Sequence, residues 1–147
     1  MPEGEFNIYY SHQREEKMER FYMEREEDLE CGKQFDVSEG ARKAGLMIRI
    51  FVTSSLKEEM MVPDSEAAAR GEDEDTRLRE ILSPLVSSIR TTRKTKKTNL
   101  INFTASLTRD GKDREFQVIS YLAPVTKDSE EPCITLLLPE DLPEETP

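Results

Sequence analysis

The stretch Asp36-Val37-Ser38-Glu39-Gly40-Ala41-Arg42-Lys43-Ala44-Gly45-Leu46-Met47-Ile48-Arg49-Ile50-Phe51-Val52-Thr53 decides the fold of this chain. Ser38 is placed to cap a short helix by accepting a backbone N–H, and Gly45 to stop it in the left-handed conformation. The apolar run 46–53 then leaves at once as a β-strand, and Ser54 or Ser55 stands where the next helix needs a cap. Helix, stop, strand and restart are encoded in one short span. They specify a fold and no chemistry.

Working outward, Leu56-Lys57-Glu58-Glu59-Met60-Met61 reads as one or two helical turns closed by Pro63. Residues 64–75 read as a linker-like loop containing Ala67-Ala68-Ala69. Its acidic run Glu72-Asp73-Glu74-Asp75 lies at the positive dipole end of a second amphipathic helix. Leu78, Ile81, Leu82, Leu85 and Ile89 form the buried stripe of that helix. Pro84 is expected to kink or restart it, because an interior proline loses a hydrogen bond and clashes with the preceding turn. Strands follow at 100–108, 116–122 and 133–138, the first two joined by the hairpin signal Asp110-Gly111.

On the N-terminal side, Phe6-Asn7-Ile8-Tyr9-Tyr10 reads as a short extended segment. Ser11 caps a charged helix reaching about residue 30, with Gly32 as its stop and Met18, Phe21, Tyr22 and Leu29 as its apolar stripe. Arg25 interrupts that stripe, which suits a partly exposed seam, and the stripe is expected to form a homodimer interface. The whole predicts an α+β fold, a mainly antiparallel sheet of about four strands with two to three helices on one face. Its parts are a charged strand/helix segment 1–34, an α+β domain 35–139 and an acidic disordered tail 140–147.

Composition bounds the function. The chain has 147 residues, 35% hydrophobic and 35% charged, so a single domain with a small core and a large charged surface is expected. A net charge of −10 makes nucleic acid an unfavoured partner, since binding to its backbone is driven by cations that release counterions. The same charge suits a basic protein partner. No run approaches the ~20 apolar residues of a membrane span, and the acidic start lacks the pattern of a signal peptide. Cys31 and Cys133 stand far apart, outside any metal or redox spacing. A cytoplasmic, reduced protein is the expectation.

No catalytic residue, metal site or cofactor emerges. His12 is the only histidine, too few for a zinc site, and no local motif supplies a nucleophile and orienting carboxylate for it. The acidic run 72–75 lacks the alternating oxygens and glycine of a calcium loop. The six glycines form no phosphate-cradling motif. Asp36, ahead of its helix, is read as a bonding partner of nearby backbone N–H groups. The one concentration of cations is Arg90, Arg93, Lys94, Lys96 and Lys97, five of the 21 basic residues. It is a candidate phosphate-binding segment, but no aromatic is interleaved for base stacking.

Two segments resemble an uncharacterised family of small domains found in bacteria, phages and plasmids. The first carries Glu27-Asp28, Gly32, Asp36-Val37-Ser38, Ala41-Arg42, Ala44-Gly45 and Val52-Thr53; the second is Glu131-Pro132-Cys133-Ile134-Thr135-Leu136-Leu137-Leu138-Pro139-Glu140-Asp141. The resemblance implies a shared fold and a mobile-element setting, with no activity attached. The expected function is therefore that of a non-enzymatic accessory protein acting on a host or mobile-element protein, modulating a host process such as defence. A nucleic-acid-associated protein using 90–97 is the alternative, and a small metal-dependent hydrolase or nuclease the second alternative.

Overall fold

A computed structural model describes residues 18–95 and 99–142, with side chains from 92 to 95 outside that description. The fold is α+β, with a five-stranded mixed sheet. In chain order the elements are α1 (Arg20–Met23), α2 (Arg25–Cys31), β1 (Gln34–Asp36), α3 (Ser38–Lys43) and β2 (Arg49–Thr53). Then come α4 (Ser54–Leu56), which runs on into a π-helical turn Lys57–Met61, α5 (Ser65–Ala69) and α6 (Glu74–Thr95). The strands β3 (Leu100–Arg109), β4 (Lys112–Pro124) and β5 (Pro132–Leu137) follow, and a 3-10 turn Pro139–Asp141 closes the described chain. The sheet order is β1-β2-β5-β4-β3, antiparallel at every pairing but β2 with β5.

The central span folds as predicted in outline, with its caps reassigned. Gly45 has φ +94° and ends α3, with its own N–H bonded to Arg42 O and the Leu46 N–H to Ala41 O, the double bond of a Schellman stop. Ser38 does not cap the helix; it is the first helical residue, and its hydroxyl accepts from the Ile50 N–H at 3.0 Å, tying helix to strand. The local capping bond belongs to Asp36, whose carboxylate accepts from the Ser38 N–H at 2.9 Å. Thr53, not Ser54 or Ser55, caps α4, accepting from the Leu56 N–H.

One face of the sheet carries the larger core. Leu78, Ile81, Leu82 and Leu85 of α6 pack with Ile50, Val52, Phe103, Ala105, Leu107, Val118, Ile134 and Leu136. Pro84 does not restart the helix, which continues through it from Glu74 to Thr95. The expected loop 64–75 contains α5, because three alanines are strong helix formers and Asp64 caps them by accepting from the Ala67 N–H at 2.8 Å. The second Asp64 oxygen accepts from the Asp110 N–H at 2.6 Å, pinning the hairpin tip to α5. That tip is the predicted two-residue turn, with Asp110 at φ 55° and Gly111 at φ 76° joining Arg109 to Lys112.

The expectation of helices on one face is corrected. Side chains alternate across a strand, and the residues between the large-core positions face the other way. There Ile119, Tyr121 and Leu137 receive Met18 and Phe21, while Phe51, Cys133 and Val125 receive Leu29. The N-terminal helices thus cover the second face, and β2 is buried on both, which is why Ile50-Phe51-Val52 is uninterrupted by polar residues. The strand β1 is an addition to the predicted set; three residues with one apolar side chain give no periodicity to read. Asp141 ties the C-terminal segment to the end of β2, accepting from Thr53 Oγ1 and Ser55 Oγ at 2.7 Å. The segment 6–10, the helix start at Ser11 and residues 143–147 lie outside the described residues.

Gly45 offers a clean test of the stop. Nothing lies within 4 Å of a Cβ built there, so Gly45→Ala meets only the backbone cost of a positive φ, about 1–2 kcal/mol. A fall of that size in unfolding free energy is expected from urea denaturation; an unchanged midpoint contradicts the assignment.

Candidate functional site

The joint between the N-terminal helices and the sheet is built on Arg25. It follows Phe21 by one helical turn on the inward side of the chain, and only 1% of it is exposed. Its Nε donates to Val125 O at 3.0 Å, its Nη1 donates to Gln34 Oε1, and its Nη2 reaches Cys133 Sγ at 3.3 Å. The guanidinium plane lies over the Phe51 ring, 4.2 Å from its centroid. Gln34 returns the bonding, donating its Nε2 to Phe21 O at 3.0 Å and to Asp28 Oδ2 at 2.7 Å. Burial pulls the Arg25 pKa down, while Cys133 and the carboxylates of Asp28 and Asp36 push it up. Burial pushes the Cys133 thiol up, against the pull of Arg25 and Arg49.

Beside this joint opens a cleft of about 330 Å³, at the carboxyl ends of the parallel pair β2 and β5. Open α/β sheets favour such ends for ligands, and Arg20, Glu24, Lys33, Ser54 and Glu140 are among the residues that line it. Two of its lining carboxylates, Asp28 and Asp141, are engaged. Asp141 accepts from two hydroxyls and from the Leu138 N–H at 2.9 Å, and Asp28 holds Gln34. The Thr53 and Ser55 hydroxyls therefore clasp the C-terminal segment to the end of β2. Glu140 stands next to Glu59 and its carboxyl is pushed up by that like charge. Among the described residues no group of three or more His, Cys, Asp or Glu is arranged to hold a metal ion.

The sequence-predicted residues are scattered by the fold. Met18 and Phe21 are buried against the chain's own sheet, at 0% and 4% exposure, and Tyr22 stacks on Tyr121 with centroids 6.5 Å apart. Leu29 is partly buried beside Phe51. This corrects the reading of the stripe as a seam for a second copy: Arg25 completes the stripe instead of breaking it, so the apolar face is consumed internally. Arg90 is exposed near the end of α6. Arg93 and Lys94 continue the helix with side chains outside the described residues, and Lys96 and Lys97 lie outside them entirely. His12 lies outside them too. Both cysteines are free, Cys31 exposed and Cys133 buried. Asp36 bonds to backbone as read, and its second oxygen accepts from Arg49 Nη2 at 2.8 Å.

What docking leaves outside is acidic. With Phe21, Arg25 and Leu29 turned inward, Glu19, Glu26, Glu27 and Glu30 are exposed, and Met23 stands among them at 52% exposure. The sequence signal for this face was the run of acids itself; its direction depends on where Arg25 points. A second buried arginine, Arg77 on α6, contrasts with the first. It is wholly buried, its nearest acid is Glu72 at 4.0 Å, and none of its side-chain nitrogens has a hydrogen-bond partner. No helix among the described residues is long and apolar enough to cross a membrane. No family model matches the chain, and no curated protein or solved structure matches it.

The two arginines predict opposite responses to the same substitution. Arg25→Met strips donors from Val125 O and Gln34 Oε1, and is expected to cost about 3 kcal/mol in chemical denaturation. Arg77→Met removes a buried charge that has no bonding partner, and is expected to be neutral or stabilising by about 1–4 kcal/mol. Equal losses for both would refute this contrast. Asp36 predicts a pH effect. Partial burial raises its pKa, but the bonds from Ser38 and Arg49 outweigh this and hold it below the ordinary 3.8. Its stabilisation is complete above pH 3.8 and is lost as pH falls through the lower folded value. Melting temperature should therefore drop more steeply below that pH in the natural chain than in Asp36→Asn.

Proposed function

We propose that this chain is a non-enzymatic accessory protein that acts by protein–protein contact, presenting its acidic helical face to a basic partner. The observation that carries this reading is the inward commitment of Phe21, Arg25 and Leu29, which turns Glu19, Glu26, Glu27 and Glu30 to solvent. A row of exposed carboxylates steers a basic surface toward itself, with an attraction that fades as salt shortens the Debye length to ~8 Å at physiological strength. Met23, exposed among the acids, adds an apolar contact at the centre of the same face. The net charge of −10 supports the same direction. The partner is a host or mobile-element protein with a cationic groove, of the kind that otherwise holds nucleic acid. The resemblance to small domains of phages and plasmids supports a setting in which occupying that groove modulates a host process, defence included.

The alternative, contact of Arg90, Arg93, Lys94, Lys96 and Lys97 with nucleic acid, is separated by experiment. Affinity capture at low and at moderate salt should enrich basic proteins with the natural chain, released by salt. The triple variant Glu26→Gln, Glu27→Gln, Glu30→Gln, which keeps side-chain shape and helix propensity, should lose that enrichment. Capture that ignores both salt and the substitutions removes the proposal. A mobility shift of DNA or RNA that disappears when the five cations become alanine favours the alternative instead.

A further inference from the structure

The segment 64–72, between the π-helical turn and α6, is bonded chiefly to itself. The N–H groups of Ala67 and Ala68 donate to Asp64, that of Arg70 to Glu66, that of Gly71 to Ala68 and that of Glu72 to Ala67. Its helix α5 buries one residue, Ala67. The chain on either side is fastened independently. Val62 O accepts from Arg109 Nη1 at 3.1 Å, and the Asp73 carboxylate accepts from the Thr76 N–H at 2.8 Å at the start of α6. Among the described residues, the hydrogen bond that ties the segment to the sheet is the one from the Asp110 N–H to Asp64 Oδ2. A stretch with internal main-chain bonds and little buried apolar surface opens locally at low free energy.

The group this segment covers gains from such an opening. Arg77, the fourth residue of α6, is wholly buried, and both ends of the segment reach its guanidinium. At one end Glu72 Oε2 stands 4.0 Å from Nη2. At the other, the Asp64 carboxyl is held below the ordinary 3.8 by the Asp110 and Ala67 N–H groups, and the Arg77 charge lowers it further. Neither end supplies a hydrogen bond: Nε, Nη1 and Nη2 are all without a partner among the described residues. The Glu72 oxygen is turned outward instead, accepting from the exposed Arg70 Nη2 at 3.0 Å. A buried charge without its bonds is strongly unfavourable, and contact with water relieves it. Arg25, by comparison, has its donors directed at Val125 O, Gln34 Oε1 and Cys133 Sγ.

We propose that segment 64–72 is a lid that opens as a unit on the otherwise folded protein, releasing the hairpin tip and bringing the Arg77 guanidinium into water. The Asp64–Asp110 bond and the burial of Ala67 hold it shut. The unbonded guanidinium pushes it open. These opposing effects place the opening well below global unfolding in free energy. The open form presents a guanidinium and an unpinned hairpin tip that the closed form hides.

Hydrogen exchange of the intact chain, followed amide by amide in NMR spectra at several low urea concentrations, tests this. The amides of Ala67, Ala68, Arg70, Gly71 and Glu72 should exchange through an opening nearly insensitive to urea. Those of β2, β4 and β5 should exchange through one that depends steeply on urea, because it exposes far more surface. In Arg77→Met the lid amides should slow by about tenfold or more, since the closed lid no longer covers a charge. In Glu72→Gln, which removes the nearest countercharge and keeps the side-chain shape, they should quicken several-fold. Lid amides that share the urea dependence of the strands overturn the proposal. So do lid rates left unchanged by Arg77→Met, whatever the strands do, or by Glu72→Gln. The acidic-face variant above should leave the lid rates as they are, which keeps this result separate from the proposed function.

Discussion

The structure depends on one buried guanidinium. Arg25 takes a carbonyl from the β4–β5 connection, a side-chain oxygen from β1 and the face of Phe51 on β2, and through Gln34 it reaches back to Phe21 of the preceding helix α1. A charge removed from water costs several kcal/mol unless its donors are used. Here three of the five donors are directed at protein acceptors and the plane rests on a ring. Because these acceptors come from separate elements, the arginine is satisfied only when helix and sheet are correctly docked. A purely apolar stripe would tolerate sliding; this one does not.

That docking has consequences on both sides of the helix. Inward, Met18 and Phe21 cover Ile119, Tyr121 and Leu137, converting a sheet with one buried face into a layer buried on both faces over β2, β5 and part of β4. Outward, it fixes which carboxylates meet solvent. The C-terminal segment is tied to the same corner, where Asp141 collects the Thr53 and Ser55 hydroxyls and the Leu138 N–H. The cleft at the ends of β2 and β5 thus includes groups, Asp28, Gln34, Thr53 and Asp141, that are engaged in holding the fold together, while the acidic helix face is turned to solvent. The helix face offers charge, which acts at a distance, favours fast encounter and weakens with salt.

Much of the fold was legible in the residues themselves. Gly45 as a helix stop, the Asp110-Gly111 turn and the stripe Leu78, Ile81, Leu82, Leu85 are local or periodic signals, and local sterics realise them wherever the chain goes. Misread were features settled by distant neighbours. Ser38 bonds to Ile50 across the sheet instead of capping, Thr53 takes the cap assigned to the serines, and Pro84 is carried inside a helix held by its packing on β3. Arg25 was visible as a charge in an apolar stripe, but a charge at that position is equally the mark of an exposed seam or of a buried anchor. Its acceptors, on Gln34 and Val125, are nine and 100 residues away, and no local pattern connects them. The sequence by itself determined the elements, their stops and the acidic balance. Only the tertiary structure decided that β2 lies parallel to β5 and that the N-terminal helices close the second face, because pairing and docking are set by long-range contacts that a one-dimensional pattern does not contain.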